Sequence, residues 1–113
     1  MEINKAVASL AALAQSSRLS IYRLLVQAGP EGLCVGDIQQ QLQLAPATLS
    51  FHLKELSQAG LLQARQRGRF IYYAPDFKVM NALLGFLTEN CCAGSPGGDA
   101  CAELPCCQEG SST

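Results

Sequence analysis

Apolar residues recur with two different periods along residues 1–90, and the change from one to the other marks out the elements. Ile3, Val7, Leu10 and Ala14 recur at helical spacing with Leu13 beside them, which predicts a first amphipathic helix. Ser16 or Ser17 is placed to cap a second helix running from about Arg18 to Gln27, closed by Gly29-Pro30. Its apolar face uses Leu19, Tyr22, Leu25 and Val26. Leu33-Cys34-Val35 is a short apolar run between two glycines, and Asp37 to Leu42 reads as a short helix. After the turn Gln43-Leu44-Ala45, Pro46 fits the first position of another helix, where its missing N–H costs nothing. That helix carries Leu49, Leu53 and Leu56 on one face and stops at Gly60.

The period then drops to two. Leu61 to Arg65 and Arg69 to Tyr73 flank Gln66-Arg67-Gly68, which predicts a β-hairpin. Asp76 is placed to cap a last helix with Phe77, Met80, Leu84 and Leu87 along one stripe. Past Asn90 the helical signal fades, and Pro96-Gly97-Gly98 breaks any element. The expected fold is mainly α with a small β-hairpin, five helices in all, and the pair from Asp37 to Ala59 has the size of a DNA-reading helix-turn-helix.

If Leu49, Leu53 and Leu56 face the core, Thr48, Ser50, Phe51 and Lys54 face outward. Hydroxyls at Thr48 and Ser50 suit base edges or phosphates, Phe51 suits a thymine methyl, and Lys54 suits a phosphate. His52 lies beside the core leucines, as a half-buried histidine or as a further DNA contact. Arg65, Arg67 and Arg69 fall on one side of the hairpin if strand alternation continues through its tip, an arrangement suited to phosphates or a narrow minor groove. Each feature alone has an ordinary reading, since many small helical domains have adjacent short helices and many hairpins carry solvated arginines. Their succession is more specific than any one of them.

Charge and cysteine content divide the chain. Residues 1–90 hold all 8 Lys and Arg and 6 of the 9 Asp and Glu, a surplus of two positive charges. Residues 91–113 hold the remaining three acids and no base. Those same residues carry Cys91, Cys92, Cys101, Cys106 and Cys107, with little large apolar side chain to bury them. Clustered thiolates are soft ligands for Cu(I), Zn(II), Cd(II) or trivalent arsenic and antimony. The sixth cysteine, Cys34, is read as packing. No apolar run is long enough to span a bilayer and Met1-Glu2-Ile3-Asn4 does not open a signal peptide, so a cytoplasmic protein is expected, with no membrane partner. In a reducing compartment six cysteines argue for metal or redox chemistry over structural disulfides. A single histidine and no nucleophile–base pair leave little for an enzyme.

Three stretches carry a family likeness. Leu13-Ala14-Gln15-Ser16-Ser17-Arg18-Leu19-Ser20-Ile21 precedes the second helix, Leu49-Ser50-Phe51-His52-Leu53-Lys54-Glu55-Leu56 leads into Ala59-Gly60-Leu61, and Arg67-Gly68-Arg69-Phe70-Ile71-Tyr72-Tyr73 closes the hairpin. Over roughly residues 5–90 the chain resembles the ArsR/SmtB family of winged-helix metalloregulatory repressors. The resemblance implies a homodimer formed through the first and last helices, a double-stranded DNA operator as partner, and release of that operator when an inducer binds. It divides the chain into residues 1–90, for DNA binding and dimerisation, and residues 91–113, a flexible cysteine-rich tail.

Two sensing sites known in that family are missing. A Cys-Val-Cys-Asp-Leu-Cys site would fall on Cys34-Val35-Gly36-Asp37-Ile38-Gln39, where only Cys34 keeps its thiol. A zinc site on the last helix needs histidine, and the only one is His52. Thr88-Glu89-Asn90-Cys91-Cys92 matches a third, arsenite-responsive type as it stands. The resemblance implies Cys91, Cys92 and Cys101 as ligands, with Cys106 and Cys107 as substitutes, As(III) or Sb(III) as inducer, and no organic cofactor. A zinc- or cadmium-responsive repressor and a thiol redox sensor on the same scaffold are the alternatives.

Overall fold

A computed structural model describes residues 1–90, and the cysteine cluster at 91–107 lies outside the described residues. Five helices and three strands follow in the order α1 (Ile3–Leu13), α2 (Ser16–Ala28), β1 (Leu33–Cys34), α3 (Val35–Leu42), α4 (Pro46–Gln58), β2 (Leu62–Arg67), β3 (Phe70–Pro75) and α5 (Phe77–Leu87). This is the winged helix-turn-helix arrangement expected from the hydrophobic pattern. No helix among the described residues is long and apolar enough to cross a membrane.

The core forms where α2, α3 and α4 meet. Ile21, Leu25, Ile38, Leu49 and Leu56 are fully buried, and Leu53 and Tyr22 are nearly so. Burial of such aliphatic side chains contributes roughly 1.5–3 kcal/mol each and dominates the stability of the domain. The α4 leucines recur at 49, 53 and 56, so one stripe of the helix is spent on this core and the opposite stripe is left outside.

Local chemistry sets the helix ends. Pro46 occupies the first turn of α4, as its fixed φ favours. Gly60, at φ +83°, closes the same helix. Asp76 caps α5, its Oδ1 accepting from the backbone N–H of Lys78 at 3.1 Å and of Val79 at 3.4 Å. At α2 the cap differs from expectation. Gln15, not Ser16 or Ser17, takes the N-cap position, and its Oε1 accepts from the Arg18 N–H at 2.9 Å. A longer side chain one residue earlier reaches the same orphan donor.

The strands form one antiparallel sheet in the order β1-β3-β2. β2 and β3 are longer than the sequence suggested, pairing Leu62 with Pro75 through to Arg67 with Phe70. β1 adds Leu33 opposite Tyr73 and Cys34 opposite Tyr72. The sheet ties the wing to the loop before α3.

Two helices turn part of their apolar stripes away from this core. On α1 only Ala6 and Ser9 are buried, while Ile3, Val7 and Leu10 are 64%, 57% and 41% exposed. On α5 only Leu83 is buried, while Leu84 and Leu87 are each 54% exposed. Of the predicted stripes, Ile3, Val7 and Leu10 on α1 and Leu84 and Leu87 on α5 face outward, while Leu13 and Met80 pack against the core and Phe77 is half-buried. α1 and α5 lie against one another.

Tyr22 shows how the core treats a polar group. Its hydroxyl is buried with no hydrogen-bond partner. Burial, and then the Asp76 carboxylate, push its pKa above the usual tyrosine range. Above about pH 10 the unfolded chain loses this proton while the folded chain resists losing it, so stability falls as pH rises. Tyr22→Phe is expected to match or exceed wild-type stability at neutral pH by up to about 1 kcal/mol. In urea unfolding series the gap should widen in favour of the variant above that pH.

Candidate functional site

The outward stripe of α4 carries Thr48, Ser50, Phe51 and Lys54, all exposed, with Phe51 at 54%. A large apolar ring left half in water on a helix whose opposite stripe is the core invites a partner. No side chain caps the start of α4, and since Pro46 has no N–H, the first backbone donors of the helix are those of Ala47 and Thr48. Short hydroxyls, a ring, a cation and a helix N-terminus on one convex surface fit a DNA groove.

His52 does not join them. It is 7% exposed, and its Nδ1 lies 3.4 Å from Nη1 of Arg18 on α2. The helical repeat turns position 52 towards the core side, so a direct contact to a base edge is not available to it. Its ring packs at 5.7 Å from that of Phe51, tilted by 58°.

The wing also departs from expectation. Arg65 lies opposite Tyr72 and Arg67 opposite Phe70, so these two arginines share a face. Arg69 does not follow their alternation, because Gly68 and Arg69 form the two-residue turn that reverses the chain. Gly68 supplies the positive φ of +63° that this reversal uses. All three guanidinium-bearing residues remain exposed at the protruding end of the sheet.

Arg67 is held from two sides. Its Nη2 lies 3.1 Å from Oε1 of Glu31, and its guanidinium carbon lies 5.2 Å from the centroid of the Tyr72 ring. Glu31 follows α2 and is 36 residues away in sequence, so no local pattern pointed to it. The pair is exposed on both sides, which limits its worth to at most about 1 kcal/mol. A phosphate approaching Arg67 must compete with this carboxylate. Glu31→Gln is therefore expected to tighten DNA binding by roughly twofold to fivefold at low salt. Arg67→Ala should weaken binding to all sequences and reduce the salt slope by about one unit. Fluorescence anisotropy across a salt series reads both, and equal behaviour of Glu31→Gln and wild type would remove the competition.

The described residues bring together no three His, Cys, Asp or Glu side chains able to hold a metal ion. Cys34 is half-buried at the start of α3. Cys91, Cys92, Cys101, Cys106 and Cys107 lie outside the described residues. The described chain leads up to them through a turn at residues 88–90, where Asn90 takes φ +60° and Thr88 Oγ1 donates to the carbonyl of Leu84 at 3.0 Å.

Comparison with known proteins agrees with this geometry. A helix-turn-helix domain family model matches residues 13–63. The chain is 36% identical over 81 residues to the arsenical resistance operon repressor of Bacillus subtilis, covering 72% of this chain and 73% of that protein. It is also 36% identical to the uncharacterised regulator YbzH of the same organism, but over 50% of this chain and only 56% of that relative's length. Among solved structures, the homodimeric winged helix-turn-helix domain of Mb0332 from Mycobacterium bovis superimposes with a TM-score of 0.61 at 28% identity, covering 79% of this chain and 82% of that one. The AntR antimony-specific transcriptional repressor superimposes with a TM-score of 0.60 at 30% identity, covering 76% and 77%.

Proposed function

Because the chain belongs to the ArsR/SmtB family of winged-helix DNA-binding transcriptional regulators, we propose that it is a homodimeric repressor that releases its operator when trivalent arsenic, or antimony, binds thiolates past α5. The observation that carries this reading is the run Thr88-Glu89-Asn90-Cys91-Cys92, followed by Cys101, directly after a helix with an exposed apolar face. The names of the arsenical resistance operon repressor of Bacillus subtilis and of the antimony-specific repressor AntR support it.

The dimer follows from the exposed stripes. Ile3, Val7 and Leu10 on α1, with Leu84 and Leu87 on α5, are large exposed apolar side chains on two helices in contact. A second copy covers them by two-fold symmetry. Such a dimer sets two α4 helices about one DNA turn apart, roughly 34 Å, and each reads half of a near-palindromic operator. Thr48, Ser50 and Phe51 address base edges, while Lys54, Arg65, Arg67 and Arg69 address phosphates and the minor groove. Residues 1–90 thus bind DNA and dimerise, and residues 91–113 sense.

Trivalent arsenic takes three sulfurs in a shallow pyramid. Adjacent Cys91 and Cys92 supply at most two, and Cys101 is the nearest third, with Cys106 and Cys107 as substitutes. A thiol with an ordinary pKa near 8.5 is mostly protonated at neutral pH, and the negative end of a helix dipole does not help it ionise. Formation of As–S bonds must provide the drive. Closing the tail onto the end of α5 shifts the dimer interface and hence the half-site spacing.

A mobility-shift titration of the dimer on DNA from upstream of its own gene tests the reading, with arsenite, antimonite, cadmium and peroxide as separate arms. Arsenite or antimonite should dissociate the complex at the lowest dose. Release by cadmium alone would move the site to a tetrahedral four-sulfur metal centre. Release by peroxide alone would make the tail a redox switch.

A further inference from the structure

Helix α1 ends at Leu13, and its last carbonyls have no partner within the helix. The carbonyl of Ala12 is taken by a side chain from the next helix, with Nε of Arg18 donating to it at 2.7 Å. That is a short, charge-assisted bond. The backbone from which Arg18 projects is pinned as well, because its own N–H donates to Gln15 Oε1. From this fixed origin the same guanidinium reaches α4, where its Nη1 lies 3.4 Å from His52 Nδ1. A guanidinium only donates, so a hydrogen bond at this contact requires Nδ1 to accept, with the proton of a neutral imidazole on Nε2.

One half-buried guanidinium therefore fastens the end of α1 and the start of α2 to the middle of α4. Its far contact leads outward. His52 packs against Phe51, the exposed ring on the DNA-facing stripe. Its near contact, Ala12, sits on the helix that exposes Ile3, Val7 and Leu10. A point-charge ammonium in place of the fork can serve Ala12 or His52, but not both in fixed geometry.

We propose that Arg18 is a positioning residue for sequence recognition: by holding Ala12 and His52 together it sets the rotation of α4, and the pose of Phe51, relative to the α1 face. The proposal rests on α4 being the helix that reads DNA. Arg18 itself touches no base or phosphate in this account. Its loss therefore costs discrimination between sequences and leaves general affinity for the polyanion alone.

The test is a double-mutant cycle on the full chain with Arg18→Lys, His52→Leu and both together, and with His52→Asn as the conservative variant that keeps an acceptor near the Nδ1 position. Two duplexes are used: one selected by the wild-type chain from a random-sequence pool, the other mixed-sequence genomic DNA. Urea unfolding of each variant reports the fold separately. Arg18→Lys and His52→Leu should each lose about tenfold on the selected duplex, and the double variant should lose no more than the worse single. His52→Asn should recover most of the loss. Affinity for mixed-sequence DNA and the salt slope should not move, since no phosphate contact has been removed. Additive losses, equal losses on both duplexes, or His52→Asn as weak as His52→Leu would overturn the proposal. A wild-type chain that selects no duplex would overturn it together with the DNA-reading role of α4. A wild-type chain that selects one, with variants unchanged on it, would overturn the Arg18 link alone.

Discussion

Replacing Cys91 and Cys92 together by serine is expected to leave operator affinity within twofold of wild type and to abolish its release by arsenite. Serine is close to isosteric with cysteine, but its hydroxyl does not ionise near neutral pH and its oxygen is a hard donor. Two of the three As–S bonds disappear, and Cys101, Cys106 and Cys107 remain without the adjacent pair that starts the site. An allosteric switch of this kind involves about 1–3 kcal/mol of coupling, a factor of roughly 5–150 in operator affinity. The whole of that factor should vanish in the variant. DNA binding should persist because every residue assigned to DNA lies at or before Arg69, on elements described within residues 1–90. A doubly substituted chain that still dissociates at the wild-type arsenite dose would place the sensor elsewhere.

Gly32→Ala is expected to be strongly destabilising, costing about 2–4 kcal/mol. Gly32 has φ +78°, which a residue with a Cβ adopts at a cost of about 1–2 kcal/mol. Sterics add to this. A Cβ there would fall on the carbonyl oxygen of Tyr73, 2.9 Å from the carbonyl carbon and 3.1 Å from the Cβ of Ala74. These are atoms of β3, fixed by pairing with both β1 and β2, so no rotamer change relieves the contact. Gly60→Ala serves as control, since Gly60 has φ +83° but open space around a Cβ. The difference between the two losses, read from urea unfolding midpoints, isolates the clash. Equal losses would show that β3 gives way and that β1 is not tightly seated on the wing.

Much of this architecture was legible from residue pattern. Pro46 opens α4, Asp76 caps α5, and Leu49, Leu53 and Leu56 are buried at the spacing that placed them inward. These are local signals, with cause and effect a few residues apart. Periodicity also found the stripes on α1 and α5, but not which way they point. Ile3, Val7 and Leu10 have the same repeat whether they cover their own core or a second copy, and only tertiary packing shows that small Ala6 and Ser9 take the inner side.

Contacts between distant residues were the least legible. Arg67 was marked as a phosphate contact, but its pairing with Glu31 depends on the sheet carrying the wing back beside the loop after α2. His52 was weighed both as a DNA contact and as a half-buried group, and it lies inward, 3.4 Å from a guanidinium on another helix. Arg69 was grouped with Arg65 and Arg67 on the assumption that alternation runs through the tip, and the turn at Gly68-Arg69 breaks it. The cysteine cluster was legible only as chemistry: soft ligands at high density after α5.

In the proposed switch, one trivalent metalloid atom held by tail thiolates takes a DNA-bound dimer off its operator. The most direct measurement follows both events in one sample, adding arsenite stepwise to the complex of the dimer with labelled upstream DNA. Fluorescence anisotropy reports bound DNA while protein-bound arsenic is measured at each step. Anisotropy is expected to fall to the free-DNA value as bound arsenic approaches one atom per protomer. Arsenic bound at that ratio with the DNA still in place, or DNA released with no arsenic on the protein, would contradict it.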